Sequence, residues 1–193
     1  MGTAQSLIHS GVDVETLNFE DLQLGLSDFF NSVIDKTHTP ELSNEEANQI
    51  LAGYFEERQN AVEEGMKQAG KKFLEENAKN KDVVTLPSGL QYKVVATGEG
   101  KRPNAYSTVT VHYEGRLISG QVFDSSFNRG EPVSFNLQSV IKGWTEGLQL
   151  MPVGSVYTFY IPYELAYGEH GTGPIPPYST LVFDVKLLDI AEK

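Results

Sequence analysis

The sequence predicts an α+β protein in two parts: a helical N-terminal module ending in a long stalk helix, then a twisted antiparallel β-sheet wrapped around one short helix. Two observations carry this. Apolar residues recur every three to four positions up to about residue 80 and every second position from Val83 onward. The charge balance changes at the same place: residues 1–82 hold 7 Lys/Arg against 16 Asp/Glu, a balance of −9, whereas residues 83–193 hold 8 against 10, a balance of −2. The expected division is therefore 1–82 and 83–193, within the size that 193 residues allow for two small domains.

The stretch NFEDLQLGLSDFFNSVI spaces Phe19, Leu22, Leu26, Phe29, Phe30 and Val33 as one helical face, with Asn18 as its N-cap. THTPELSNEE interrupts it, and Ser43 with Glu46 forms a capping box for a second helix. That helix carries a dense stripe (Ala47, Ile50, Leu51, Tyr54, Phe55) that thins after Arg58, and no proline interrupts it before Pro87. From Asn44 to about Lys79 it would be roughly 50 Å long at about 1.5 Å per residue, longer than a small domain is wide. Short helices cannot bury that many aromatic and leucine side chains alone. A second copy of the chain is expected to cover them as a homodimer; the alternative is a helical subdomain packed on its own second half.

The C-terminal part alternates in LQYKVV and TVTVHYEGRL, turns at Ser119-Gly120, and continues through VSFNL, SVYTFYI and STLVFDVKLLDI. A single short helix is expected around Lys142 to Leu150, and YGEHGTGPIPPYS reads as a Gly/Pro-rich loop. One helix on one face of a sheet leaves a concavity between them, where a pocket belongs.

The net charge of −11 and pI near 4.8 argue against nucleic-acid binding. Cysteine is absent, which removes thiolate chemistry, disulfides and Cys-built zinc sites. The four histidines (His9, His38, His112, His170) do not pair at metal spacing, so neither metal nor cofactor is expected. GEGK at Gly98–Lys101 lacks the rest of a phosphate loop, and Ser125 and Ser126 lack a nucleophile elbow. No membrane insertion is expected, and with no secretory signal in view the cytoplasm and the periplasm both remain open.

The remaining feature is a set of aromatic side chains around one carboxylate. It comprises Tyr113, Phe123, Asp124, Phe135, Val140, Ile141, the single tryptophan Trp144, Tyr167 and Phe183. Alternation turns Tyr113 inward with Val109 and Val111, and Phe183 inward with Leu181 and Val185. Taken singly, strand aromatics usually pack a core, and Asp124 could merely cap a turn.

The blocks VHYEGRLISGQVFDSS, GEPVSF, VIKGWTEGLQLMPVGS and LAYGEHG…IPPYSTLVFDVKLLDI resemble, in order, the FKBP-type peptidyl-prolyl cis-trans isomerases. The helical half resembles the dimerisation region of their Mip-like and FklB-like bacterial branch. This resemblance implies an isomerase that turns X–Pro bonds in prolyl-containing protein clients, binds macrolide inhibitors, and comes from a bacterium. It places Trp144 as the floor under a prolyl ring and Tyr113, Phe123, Phe135, Val140, Ile141 and Phe183 in its walls. Asp124 is implied as the pocket carboxylate, with Arg129 as its basic companion; Tyr167 and the Ile141 N–H are implied as donors to a ligand carbonyl. Val133 stands where many relatives carry an aromatic residue, and Ile175 aligns within a loop unlike that of the short relatives. The alternative is a non-catalytic proline-binding module or holdase chaperone that uses the same pocket only to grip.

Overall fold

The computed structural model describes residues 27–28 and 44–191. The first expected helix lies outside the described residues except for Ser27 and Asp28, which are helical, and so does the Ser43 capping position. The chain divides into two compact units, Met1–Glu57 and Arg58–Lys193. Of the first, the described part beyond Ser27 and Asp28 is the opening of helix α1 (Asn44–Asn77).

In the second unit seven strands form one antiparallel sheet: β1 (Val83–Thr85), β2 (Gln91–Ala96), β3 (Thr108–Leu117), β4 (Val122–Ser125), β5 (Val133–Asn136), β6 (Val156–Ile161) and β7 (Leu181–Ile190). The order is β1-β2-β6-β7-β3-β4, with β5 also on β3. Strand β3 buries every second residue along its whole length, as its sequence alternation requires. The expected turn joins β3 to β4, where Gly120 takes φ +90°, a conformation open to glycine, and donates its N–H to the Leu117 carbonyl at 2.9 Å.

Strands β4 and β5 share one edge of β3. β4 pairs with Glu114–Arg116 and β5 with Thr108–Val111, which leaves His112 and Tyr113 unpaired on that side. Between them runs the one-turn helix α2 (Ser126–Arg129). Its fully buried Ser126 fills the gap in the ladder: the hydroxyl accepts the Tyr113 N–H at 2.8 Å and donates to the Tyr113 carbonyl at 3.2 Å. The backbone of a cleft residue is thereby satisfied by a side chain.

Helix α3 (Lys142–Leu148) crosses one face of the sheet. It comes close because Gly143 and Gly147 present no side chain: a Cβ on the first would sit 2.5 Å from Ile161, and on the second 2.6 Å from Phe159. Trp144 and Leu148 then enter a core with Phe159, Phe183, Val185 and Leu187.

The C-terminal half of α1 is docked on the same unit. Phe73 lies 6.0 Å from Tyr160, and a Cβ on Gly70 would come within 2.4 Å of Thr180. At the helix end Gln91, only 4% exposed, donates to the Leu74 carbonyl at 2.9 Å and accepts from Asn77 at 2.8 Å. The Leu74 carbonyl, which also accepts the Ala78 N–H at 2.9 Å, thus takes a second hydrogen bond from a strand side chain that ties the helix end to β2.

Candidate active site

The site is assembled from six segments. β3 turns Tyr113 inward, and β7 places Phe183 opposite Gly115 in register. Gly115 makes room for two rings: a Cβ there would lie 2.6 Å from Phe183 and 2.7 Å from Phe123. β4 supplies Phe123 and Asp124, β5 supplies Phe135, and Ser139, Val140 and Ile141 lead into α3. Tyr167 comes from the loop after a short 3-10 turn, Tyr163–Leu165.

Together they line a cleft of about 250 Å³. That is below the ~300–1,000 Å³ usual for drug-sized ligands and suits a small ring. Trp144 is 4% exposed at its base. Tyr113, Phe135 and Phe183 meet its indole edge to face, with centroids at 5.2, 5.4 and 5.3 Å and interplanar angles of 86°, 89° and 77°. Such perpendicular pairs are the favoured aromatic geometry and fix the indole plane from three sides. Its N–H is buried without a protein hydrogen-bond partner.

One polar group of the cleft is organised. The Tyr113 hydroxyl and the Arg129 guanidinium both donate to Asp124, one to each carboxylate oxygen, and Arg129 also donates to the Tyr113 oxygen at 3.1 Å. Burial pushes the Asp124 carboxyl up, but the hydrogen bonds from Tyr113 and Arg129, with the guanidinium charge, outweigh it and hold the group below its ordinary value. Burial first, then the neighbouring carboxylate, raises the Tyr113 and Tyr167 hydroxyls.

These directions predict two pH behaviours. Asp124 has a depressed folded pKa, so its stabilising contribution is complete above about pH 3.9 and disappears as pH falls through the folded value. The tyrosines have raised folded pKa values, so their contribution is complete below about pH 10 and is lost as pH rises through those values. Urea midpoints followed from pH 2 to 5 are expected to fall more steeply for the natural chain than for Asp124→Asn. Any activity depending on these three groups is expected to be level from about pH 5 to 9; a bell-shaped profile centred in that window would rule the assignment out.

Nine of the twelve sequence-predicted residues line the cleft: Tyr113, Phe123, Asp124, Phe135, Val140, Ile141, Trp144, Tyr167 and Phe183. Arg129 stands behind Asp124 and is not among the lining residues. Val133 and Ile175 are not among them either: Val133 pairs with Val111 and packs on the core, and Ile175 is 5% exposed within the core. Ser139 lines the cleft and was not expected; its position just before Val140 and Ile141 is the only sequence signal for it. Gly115 and Ser126 were also missed. A glycine on the inward phase of β3 is a signal of close approach, whereas Ser126 is legible only once β4 and β5 are seen to share an edge. A larger hollow of about 740 Å³ lies elsewhere, beside Lys101, Arg102 and Tyr106, but it gathers no comparable ring cluster. Among the described residues no cluster of His, Cys, Asp or Glu could hold a metal, and no helix is long and apolar enough to cross a membrane.

Comparison with known proteins agrees with this architecture. Residues 99–188 match the family described as FKBP-type peptidyl-prolyl cis-trans isomerase, and residues 2–94 match the domain amino terminal to it. A probable FKBP-type peptidyl-prolyl cis-trans isomerase FkpA of Neisseria meningitidis serogroup B is 50% identical over 157 residues, covering 77% of this chain and 58% of the relative. A probable FKBP-type isomerase of Haemophilus influenzae is 42% identical over 184 residues, covering 93% and 76%. The FKBP-type 22 kDa isomerase of Escherichia coli is 56% identical over 128 residues, covering 66% and 62%. The chain thus spans roughly half to three quarters of the length of these relatives. The crystal structure of FkpA from Escherichia coli superposes with a TM-score of 0.73 at 41% identity, covering 90% of this chain and 82% of that one.

Proposed function

The chain belongs to the FKBP-type peptidyl-prolyl cis-trans isomerases, and from that membership we propose that it accelerates X–Pro rotation in protein clients, with the cleft over Trp144 as its active site. The observation that carries the proposal is the boxed indole floor in a small, ring-walled cleft, suited to a reaction that needs no nucleophile.

Turning a peptide bond meets a barrier of about 18–20 kcal/mol, because resonance gives the C–N bond partial double-bond character. X–Pro bonds still populate both isomers, exchanging unaided over tens to hundreds of seconds. No bond breaks, so the catalyst has only to favour the twisted amide. In the twisted state resonance is lost and the carbonyl is less polar. Water stabilises the planar, polar form; a cleft walled by Phe123, Phe135, Phe183 and Trp144 withdraws that water and offers ring contacts that suit the twist. A differential of about 4 kcal/mol gives roughly a thousandfold acceleration.

Asp124 and Tyr167 take the role of orienting the substrate carbonyl and its flank, with no proton transferred. Arg129 and Tyr113 keep Asp124 ionised and fixed. Asp124→Asn is therefore expected to reduce kcat/KM by no more than about tenfold, equivalent to about 1.4 kcal/mol. The decisive experiment is a protease-coupled assay on a short prolyl peptide, with and without a macrolide that would compete for the ring site. A folded protein that leaves the interconversion rate unchanged while still binding the peptide would be a grip alone, and the catalytic reading would be lost.

The helical region 1–82 is proposed to form a homodimer, supported by its match to the domain amino terminal to these isomerases. Two sites held on one assembly would raise the effective concentration of a client's second proline. Sedimentation equilibrium of the full chain tests the dimer. A bacterial cytoplasm or periplasm is the proposed compartment, from the bacterial sources of the relatives.

A further inference from the structure

Tyr167 is the cleft residue least fixed by the sheet. It sits in the loop between β6 and β7 and is 39% exposed. Its neighbour Gly168 is held at both ends: the Gly168 N–H donates to the Tyr163 carbonyl at 2.9 Å, and the Gly168 carbonyl accepts the Tyr178 N–H at 3.1 Å.

Tyr178 is unusual among the described residues. It is the one non-glycine residue with positive φ, at +55°, and it is only 7% exposed. A tyrosine adopts that conformation at a cost and keeps it only where its surroundings over-determine it. Two of those surroundings are visible. The Tyr163 ring packs against Tyr178 at 5.2 Å and 74°, and the Lys67 ammonium of α1 stands 4.0 Å over the Tyr178 ring centre. Nearly one turn along the helix, Gly70 lets α1 press on Thr180, at the other side of Tyr178. The helix therefore braces the end of the loop whose backbone holds the residue next to Tyr167.

We propose that the docked half of α1 belongs to the isomerase site: Lys67 and Tyr178 are positioning residues that hold Gly168, and through it Tyr167, at the mouth of the cleft. Displacing the helix then changes the pocket without touching any residue that lines it. The rate readout rests on the isomerase reading above; the positional readout does not.

The experiment uses the full chain with 3-fluorotyrosine at position 167, observed by fluorine NMR, in the natural sequence and in Lys67→Ala, Lys67→Arg and Tyr178→Gly. Glycine suits a φ of +55°, so Tyr178→Gly removes the ring while relieving the backbone. Lys67→Ala and Tyr178→Gly are expected to shift or broaden the fluorine resonance, and Lys67→Arg to restore it, since a guanidinium also stacks on an aromatic face. On a prolyl peptide, Lys67→Ala is expected to raise KM about three- to tenfold with kcat nearly unchanged, the weight of one partly desolvated cation–π contact. In a Tyr167→Ala background the same substitution is expected to add nothing. An unmoved fluorine signal in Lys67→Ala, or effects that multiply in the double variant, overturns the proposal. A natural chain that does not catalyse at all defeats the isomerase reading instead, and the fluorine signal still decides this one.

Discussion

Trp144→Ala is expected to lower kcat/KM on a prolyl peptide by at least about a hundredfold, corresponding to about 2.7 kcal/mol of transition-state stabilisation. The indole is the base of the cleft and the shared partner of three rings, Tyr113, Phe135 and Phe183. Removing it opens a cavity beneath the ring site and admits water to the surface that has to stay dry. The same truncation is expected to reduce stability by about 3–5 kcal/mol, the usual loss for a buried large aromatic. Two effects must therefore be separated. Trp144→Leu retains apolar volume and is expected to stay folded, with activity intermediate between the natural chain and the alanine variant. Rates compared at temperatures where circular dichroism shows each variant folded give the test. A folded alanine variant within tenfold of the natural rate would remove the indole from the mechanism.

Gly147→Ala is expected to destabilise the protein even though alanine is the better helix former by about 1 kcal/mol. The new Cβ would lie 2.6, 2.9 and 3.0 Å from three atoms of the Phe159 ring. That ring is fully buried on β6 and pairs in register with Phe183 of the cleft wall, so it has nowhere to retreat. Overpacking of this kind typically costs about 1–3 kcal/mol, which exceeds the propensity gain. A net loss of about 1 kcal/mol lowers Tm by roughly 2–4 °C for a chain of this size. Activity should fall with it, because α3 also carries Trp144 one turn earlier and must lift to accept the methyl. Gly65→Ala is the control: it is also helical, with nothing within 4 Å of its Cβ, and is expected to raise Tm slightly. If both substitutions stabilise alike, the close approach of α3 to the sheet is not what glycine serves at position 147.

Much of this molecule was readable along the chain. Strand β3 alternates without a break, so Val109, Val111 and Tyr113 could be assigned to one face before any coordinates. The same period placed Leu181, Phe183 and Val185 together, and all three are buried. The long helix was expected from Asn44 to about Lys79 and runs Asn44–Asn77. The residues that escaped have roles that only a partner from another part of the chain creates. Val133 and Ile175 have the residue type of a wall and pack on the same core as Trp144 and Phe183, but they are not among the residues that line the cleft. The last turns of α1 look like a solvated face in sequence, being rich in Glu, Lys and Gln. They nevertheless dock through Gly70, Phe73 and Asn77: Phe73 belongs to the thinned apolar stripe, but the glycine and the amide make contacts that no hydrophobic pattern announces.

By itself, then, the sequence determined the long helix, most of the strands and which face of β3 and β7 is apolar. These follow from periodicities of 3.6 and 2, properties of a single segment. Tertiary structure alone decided that Ser126 completes the ladder at Tyr113, that Gly115 yields its space to Phe123 and Phe183, and that α1 braces the loop beside Tyr167. Each of these depends on a distance between segments far apart in the chain, and such distances are set by close packing, which no local pattern encodes.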